Sequence, residues 1–191
     1  MNEWYLNNLG NKFRMILLIS FSLNPKSKSY LVLCETKKYL DSRGIKSSTI
    51  DLRKYNLPIY DGTCNALENP QTKEVMEKFN NANKIVIFTP VYNYDVNANF
   101  KNFIDLLSVY RHKNISNQEQ VLGVVGAMGS QRSFTSLFPS LSHFQFSLGF
   151  YLIPKIVMCV PKDFAVRNKI SCDLSNRVKE LCNNILQISF N

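Results

Sequence analysis

The stretch KIVIFTPVYNYDVNANFKNFIDLLS, residues 84–108, decides the fold. Its opening run, 85–89, is β-branched and aromatic without alternation, the pattern of a strand buried on both faces. Pro90 removes a ladder donor and is expected to halt that strand. A knot of Tyr92, Asn93 and Tyr94 follows. Then Phe100, Phe103, Ile104 and Leu107 recur at i, i+3, i+4 and i+7, with Lys101 and Asp105 as an exposed i, i+4 pair, so the chain re-enters as an amphipathic helix. A doubly buried strand that empties through a polar loop into a helix is one half of a β-α-β unit.

Working outward, the same alternation recurs. Residues 15–20, 48–52, 121–126 and 153–160 are further short apolar runs, the last one opened by Pro154. Between them lie helical patterns. Tyr30, Leu33 and Leu40 share a face, with Gly44 at a C-cap position; Val75, Met76 and Phe79 share another. Residues 133–148 form a long mixed run interrupted by Pro139. Leu174, Val178, Leu181 and Ile185 make a last stripe, capped by Asp173 or Ser171. Five strands alternating with helices predict an α/β fold of three layers, a parallel sheet in flavodoxin-like order 2-1-3-4-5. One domain is expected over residues 15–191, with 1–14 as an extension that carries no fold. Ligands of such sheets sit beyond the carboxyl ends of the strands.

Composition narrows the function classes. The chain has 191 residues, 45% apolar and 19% charged, which is a globular balance. No apolar run reaches the roughly 18–20 residues of a membrane span. The five cysteines, at 34, 64, 159, 172 and 182, are odd in number and lack CxxC spacing. They read as free thiols in a reducing, cytoplasmic setting, and no zinc site is expected. The net charge of +9 is scattered rather than striped, which suits an anionic small molecule better than nucleic acid.

Three loops carry the chemistry. Ser20-Phe-Ser-Leu-Asn-Pro-Lys-Ser-Lys-Ser29 crowds hydroxyls, an amide and two lysines at a helix N-terminus, where unpaired N–H groups and the helix dipole favour an anion. Ser22, Asn24, Ser27 and Ser29 can donate to phosphate oxygens; a plain capping loop is the alternative. The loop has neither Walker nor GxGxxG glycines. Thr89-Pro-Val-Tyr-Asn-Tyr94 offers flat rings and an amide that suit a planar heterocycle, or rings that pack on the next helix. Gly126-Ala-Met-Gly-Ser-Gln-Arg-Ser133 lets backbone approach a ligand, or merely starts a helix. No loop holds a nucleophile or acid–base set. His112 and His143 read as surface or packing residues. A pocket without proton-transfer groups points to a cofactor that carries the chemistry.

Taken together, these loops resemble the NAD(P)H-dependent FMN reductases of the flavodoxin-like superfamily, relatives of quinone and azo-dye reductases. The likeness spans about residues 15–187. ISFSLNPKSKS is similar to the family's phosphate loop, and TPVYNYDVNANFKNFIDLLS to its T-P-E-Y-N-x-S-x-P-x-x-L-K-N-A-I-D-W-L-S. GAMGSQRSF is similar to its third flavin loop. The resemblance implies FMN held through its phosphate at Ser22, Asn24, Ser27 and Ser29. Pro90, Val91, Tyr92 and Asn93 would lie along the isoalloxazine ring, and Gly126, Met128, Gly129 and Ser130 would close the other side. It implies NAD(P)H as donor, hydride transfer to the flavin, a small acceptor such as free flavin or quinone, and a homodimer or homotetramer with residues 110–120 near the interface. Arg111, Lys113 and Arg132 are candidates to meet the extra phosphate of NADPH.

The chain departs from the pattern in places. Phe21 replaces the family's glycine and is expected to narrow the phosphate approach. Asn24 replaces an arginine, Val91 a glutamate and Leu107 a tryptophan. Those departures leave open a flavodoxin-like binding or regulatory module with weakened or lost FMN binding. A one-electron flavodoxin carrier fits less well, because such carriers are acidic.

Overall fold

The computed structural model describes residues 15–114, 119–165 and 169–190. The expected extension, 1–14, lies outside them. The order is β1 (Ile16–Ser20), α1 (Lys28–Ser42), β2 (Ser47–Asp51), α2 (Pro70–Asn80), β3 (Lys84–Tyr92), β4 (Asp95–Val96), α3 (Ala98–Lys113), β5 (Val121–Ala127), α4 (Phe138–Ser142), β6 (Tyr151–Leu152), β7 (Val157–Cys159), β8 (Phe164–Ala165), β9 (Lys169–Ile170) and α5 (Cys172–Gln187). The main sheet runs β2-β1-β3-β5, parallel throughout, with β6 and β7 sharing the fifth position beside β5. That is the expected 2-1-3-4-5 order.

The sheet is buried on both faces, which is why its strands do not alternate in polarity. Leu17, Ile19, Ile85 and Ile87 point into a core with α2, α3 and α4. Ile16, Leu18, Val86 and Phe88 point the other way, against α1 and α5. Gly123 on β5 lets α5 approach closely, since a Cβ there would stand 2.6 Å from Cδ1 of Ile185. The stripe Leu174, Val178, Leu181 and Ile185 is buried, and Ser171 rather than Asp173 caps α5, accepting from the Leu174 N–H at 3.1 Å.

Three expectations are corrected. Pro90 does not halt β3, which runs on to Tyr92 with Pro90 opposite Ala127 of β5. The β1 register ends at Phe88 and the β4 pairing begins only at Val91, so at Pro90 one side of β3 has no ladder neighbour and proline is tolerated as on an edge. The fifth strand is split rather than continuous. From Leu152 to Val157 it takes five residues where β5 takes three, from Leu122 to Val125, and Pro154 sits in that bulge. The mixed run 133–148 is broken at Pro139, as expected: a 3₁₀ segment at Gln131–Leu137 leads into α4, with Pro139 in its first turn, and a π turn follows at His143–Ser147. Phe21 does not crowd the phosphate approach. Its side chain is fully buried in the core, with its ring centroid 4.7 Å from that of Phe100 and 5.0 Å from that of Phe103.

The thiols divide by environment. Cys64 and Cys172 are exposed, whereas Cys159 and Cys182 are buried and burial pushes both up to about 12. Between about pH 9 and 12 the unfolded chain therefore releases protons that the folded chain retains, so stability falls as pH rises through that window. Replacing Cys182 by alanine is expected to flatten the loss between pH 9 and 10 by about 1 kcal/mol, read from denaturant midpoints at the two pH values. An unaltered slope contradicts it. In native protein a thiol reagent is expected to label Cys64 and Cys172 well before the buried pair.

Candidate functional site

At the carboxyl edge of the sheet, three loops enclose a cavity of about 760 Å³, within the usual size range of cofactor sites. It is walled by Ser22, Asn24, Ser27 and Ser29 after β1, by Pro90, Val91, Tyr92 and Asn93 at the end of β3, and by Met128, Gly129 and Ser130 after β5. Of the residues that the resemblance sets against FMN, all line the cavity except Gly126. That glycine lies within β5, where a Cβ would meet Cδ1 of Leu137 and Cε of Met128, both at 3.0 Å, so its bareness serves packing. The sequence reading missed Ala127, Ser133 and Pro161 as lining residues.

The first wall is built by local hydrogen bonds. Ser27 is the N-cap of α1: its hydroxyl accepts from the Tyr30 N–H at 3.1 Å and shares a hydrogen with Ser29 at 2.9 Å. Asn24 turns the loop, its side-chain oxygen accepting from the Lys26 N–H at 2.8 Å and its carbonyl from the Ser27 N–H at 3.0 Å. The acceptor side of this amide thus shapes the loop. Arg53 braces the loop from behind. Its guanidinium stacks 3.8 Å over the Tyr30 ring, reaches the Pro25 carbonyl at 3.5 Å and forks onto Asp51 at the end of β2, the closest contact being 2.6 Å. Lys26 and Lys28 line the cavity and, among the described residues, no carboxylate does, so this end is cationic beside a helix N-terminus.

The second wall is a tight hairpin. β3 and β4 pair antiparallel, Val91 with Val96 and Tyr92 with Asp95, leaving Asn93 and Tyr94 as a two-residue turn. Both have positive φ, 52° and 60°. Such a type I′ turn favours Asn then Gly. Asn93 fits, whereas Tyr94 bears the left-handed penalty of roughly 1–2 kcal/mol. Tyr92 and Tyr94 stand half to two-thirds exposed on the cavity. Behind them Asn97 is buried: its amide donates to Thr89 Oγ1 at 2.7 Å and to the Pro90 carbonyl at 3.3 Å, and its oxygen caps α3 at the Phe100 N–H.

The third wall is held from the side. The Met128 N–H donates to the Cys159 carbonyl at 2.9 Å, and Ser130 accepts from the Arg132 N–H at 3.3 Å. Pro161 is fixed by buried Asp163, which accepts from the Val160 N–H at 2.8 Å and pairs with Arg177 at 2.9 Å. Gly129 is bare to the cavity: a Cβ there would meet no protein atom within 4 Å.

Other candidates fall elsewhere. Arg132 and Lys113 do not line the cavity. Arg111 lies at the opposite edge of the sheet, donating to Asn80 and to the Leu148 carbonyl and stacking 4.3 Å over Phe150; burial lowers it to about 10. It is a packing residue, not a phosphate ligand at this site. His112 is exposed on the last turn of α3 and His143 lies in the π turn, both away from the cavity. The expected interface segment 110–120 lies partly outside the described residues. Among the described residues no cluster of metal-binding side chains occurs, and no helix is long and apolar enough to cross a membrane.

The residues present fit FMN on three counts: a hydroxyl-lined cationic end at a helix N-terminus, a flat wall of Pro90, Val91 and Tyr92 on one side, and a bare glycine cradle on the other. A family model for NADPH-dependent FMN reductase matches residues 14–165. The chain belongs to that family. As an FMN reductase family member it belongs among enzymes that use FMN with NAD(P)H as donor. Its fold is similar to that of the NADH:FMN oxidoreductase EMOB in apo form (17% identity, TM-score 0.68, 91% of this chain and 88% of that one). FerB, a flavoenzyme NAD(P)H:(acceptor) oxidoreductase from Paracoccus denitrificans, is similar as well (16%, 0.69, 90% and 97%). A flavodoxin from the domain Archaea superimposes more loosely (11%, 0.58, 91% and 96%). At these identities the likeness shows the fold, which is flavodoxin-like. No curated protein matches the sequence closely enough to count as a relative.

Proposed function

We propose that this chain is an NAD(P)H-dependent FMN oxidoreductase that delivers reducing equivalents to a small acceptor. In the net reaction NAD(P)H gives up a hydride; with one further proton, two electrons and two protons arrive on an acceptor such as a quinone. When bound, FMN supplies the two-electron redox chemistry. The observation that carries the reading is the convergence of the three loop walls on one cavity whose charged lining, among the described residues, is Lys26 and Lys28.

The chain's own residues then have distinct tasks. Ser22, Ser27 and Ser29, with the first-turn N–H groups of α1, would hold the FMN phosphate, Lys26 and Lys28 adding charge. Asn24 would act by shaping that loop and Arg53 by bracing it. Pro90, Val91 and Tyr92 would support one side of the flavin ring, and Asn93 would offer amide hydrogen bonds at its edge. Met128, Gly129 and Ser130 would close the opposite side. No side-chain acid is required, in keeping with the absence of histidine from the cavity lining. Holding the reactants in register and keeping water from the reacting face would be the protein's contribution. Residues 15–191 would act as one domain, assembled as a homodimer or homotetramer in the cytoplasm.

The core burial of Phe21 removes the steric reason for favouring a module that has lost FMN. A visible spectrum of the purified chain tests the proposal. Flavin bands, present on isolation or after adding FMN, that bleach on addition of NADH or NADPH are the expected result. A colourless chain that leaves FMN fluorescence unquenched overturns it.

A further inference from the structure

Tyr94 is strained where an unstrained residue was available. Its φ of 60° lies in the position of a two-residue hairpin turn that glycine fills without penalty. Tyr94 is 66% exposed at the cavity, so burial does not offset the strain, and Tyr92 beside it is 50% exposed. Strained conformations that packing does not explain cluster at ligand sites. The two residues line the cavity while standing half or more exposed, so they sit at its mouth.

Resting on the flavin reading above, we propose that Tyr94 is a specificity-determining residue, whose left-handed turn presents an aromatic ring at the cavity mouth for stacking by a planar aromatic acceptor. The class chosen is therefore flat, conjugated two-electron acceptors, of the quinone or isoalloxazine type, over compact inorganic oxidants that offer no face to stack. The acceptor takes two electrons and two protons supplied by NAD(P)H and solvent, and Tyr94 itself forms no bond and transfers no proton.

The test compares wild type with Tyr94→Gly, Tyr94→Leu and Tyr94→Phe, using menadione and ferricyanide as acceptors. Tyr94→Gly is expected to raise the Tm of the flavin-free chain, because the strain is relieved. It is also expected to lower the ratio of kcat/KM for menadione to that for ferricyanide by about tenfold, mainly through the KM for menadione. Tyr94→Leu keeps the strain and loses the ratio, whereas Tyr94→Phe retains the ratio. FMN titration of each variant tells cofactor loss from acceptor loss. A lower Tm for Tyr94→Gly, an unchanged ratio, or loss of FMN binding in step with the ratio overturns the assignment while the flavin reading stands. A wild-type chain that binds no FMN overturns both.

Discussion

Asn97→Ala is expected to destabilise the protein by about 2–4 kcal/mol, and to loosen FMN binding in the same stroke. Two separate losses add. Asn97 is the N-cap of α3, accepting from the Phe100 N–H at 3.1 Å, and such a cap is worth about 1 kcal/mol. Its amide also donates to Thr89 Oγ1 and to the Pro90 carbonyl in a buried setting, and removing it strips those acceptors of a donor, at about 1–3 kcal/mol. The location explains the link to function. β3 has run past the last residue of β1 here and has not yet met β4, so Thr89 and Pro90 lack a ladder partner on one side, and Asn97 latches that point to the helix. Asn97→Ser separates the two parts, since serine keeps a cap and lacks the amide donor. Denaturant midpoints and FMN titration of both variants make the check. A loss below about 1 kcal/mol in Asn97→Ala would mean that the latch carries little of the stability.

The fold was legible because doubly buried strands leave a strong signature. The runs at 85–89 and 121–126 are apolar on both faces, and the helices between them keep one apolar stripe each. What was hidden follows from contacts distant in sequence. Whether a proline ends a strand depends on whether its neighbour is still paired at that level, and Pro90 and Pro154 fall on opposite sides of that condition. Phe21 occupies the family's glycine position, and sequence offered only its bulk; its direction is set by the alternation of β1 carried one residue further, which aims it at Phe100 and Phe103. Asn97 and Arg53 were unreadable as site residues because each works behind the wall, on the backbone of other loops. The left-handed Tyr94 was hidden for the opposite reason: nothing in the string Tyr-Asn-Tyr-Asp announces a two-residue turn when glycine is missing from it.

Gly126 and Gly129 show most sharply how alike residues in one motif diverge, and Gly129→Leu turns that difference into a prediction. Both glycines belong to the same loop pattern, yet a Cβ at 126 would press on Leu137 and Met128, while a Cβ at 129 would find open space. Gly129 has no positive φ that a side chain would strain. A leucine there should therefore leave the flavin-free chain within about 0.5 kcal/mol of wild type, as for other exposed positions. The same side chain would project where the third wall meets the cavity, and overlap with a ligand seated there costs about 1–3 kcal/mol or more. FMN affinity is expected to fall by about a hundredfold, near 2.7 kcal/mol, read from quenching of flavin fluorescence. Gly129→Ala should give a smaller fall in the same direction. Undiminished affinity in Gly129→Leu would move the cofactor away from the third wall, and a stability loss equal to the affinity loss would show that the position is packed rather than open.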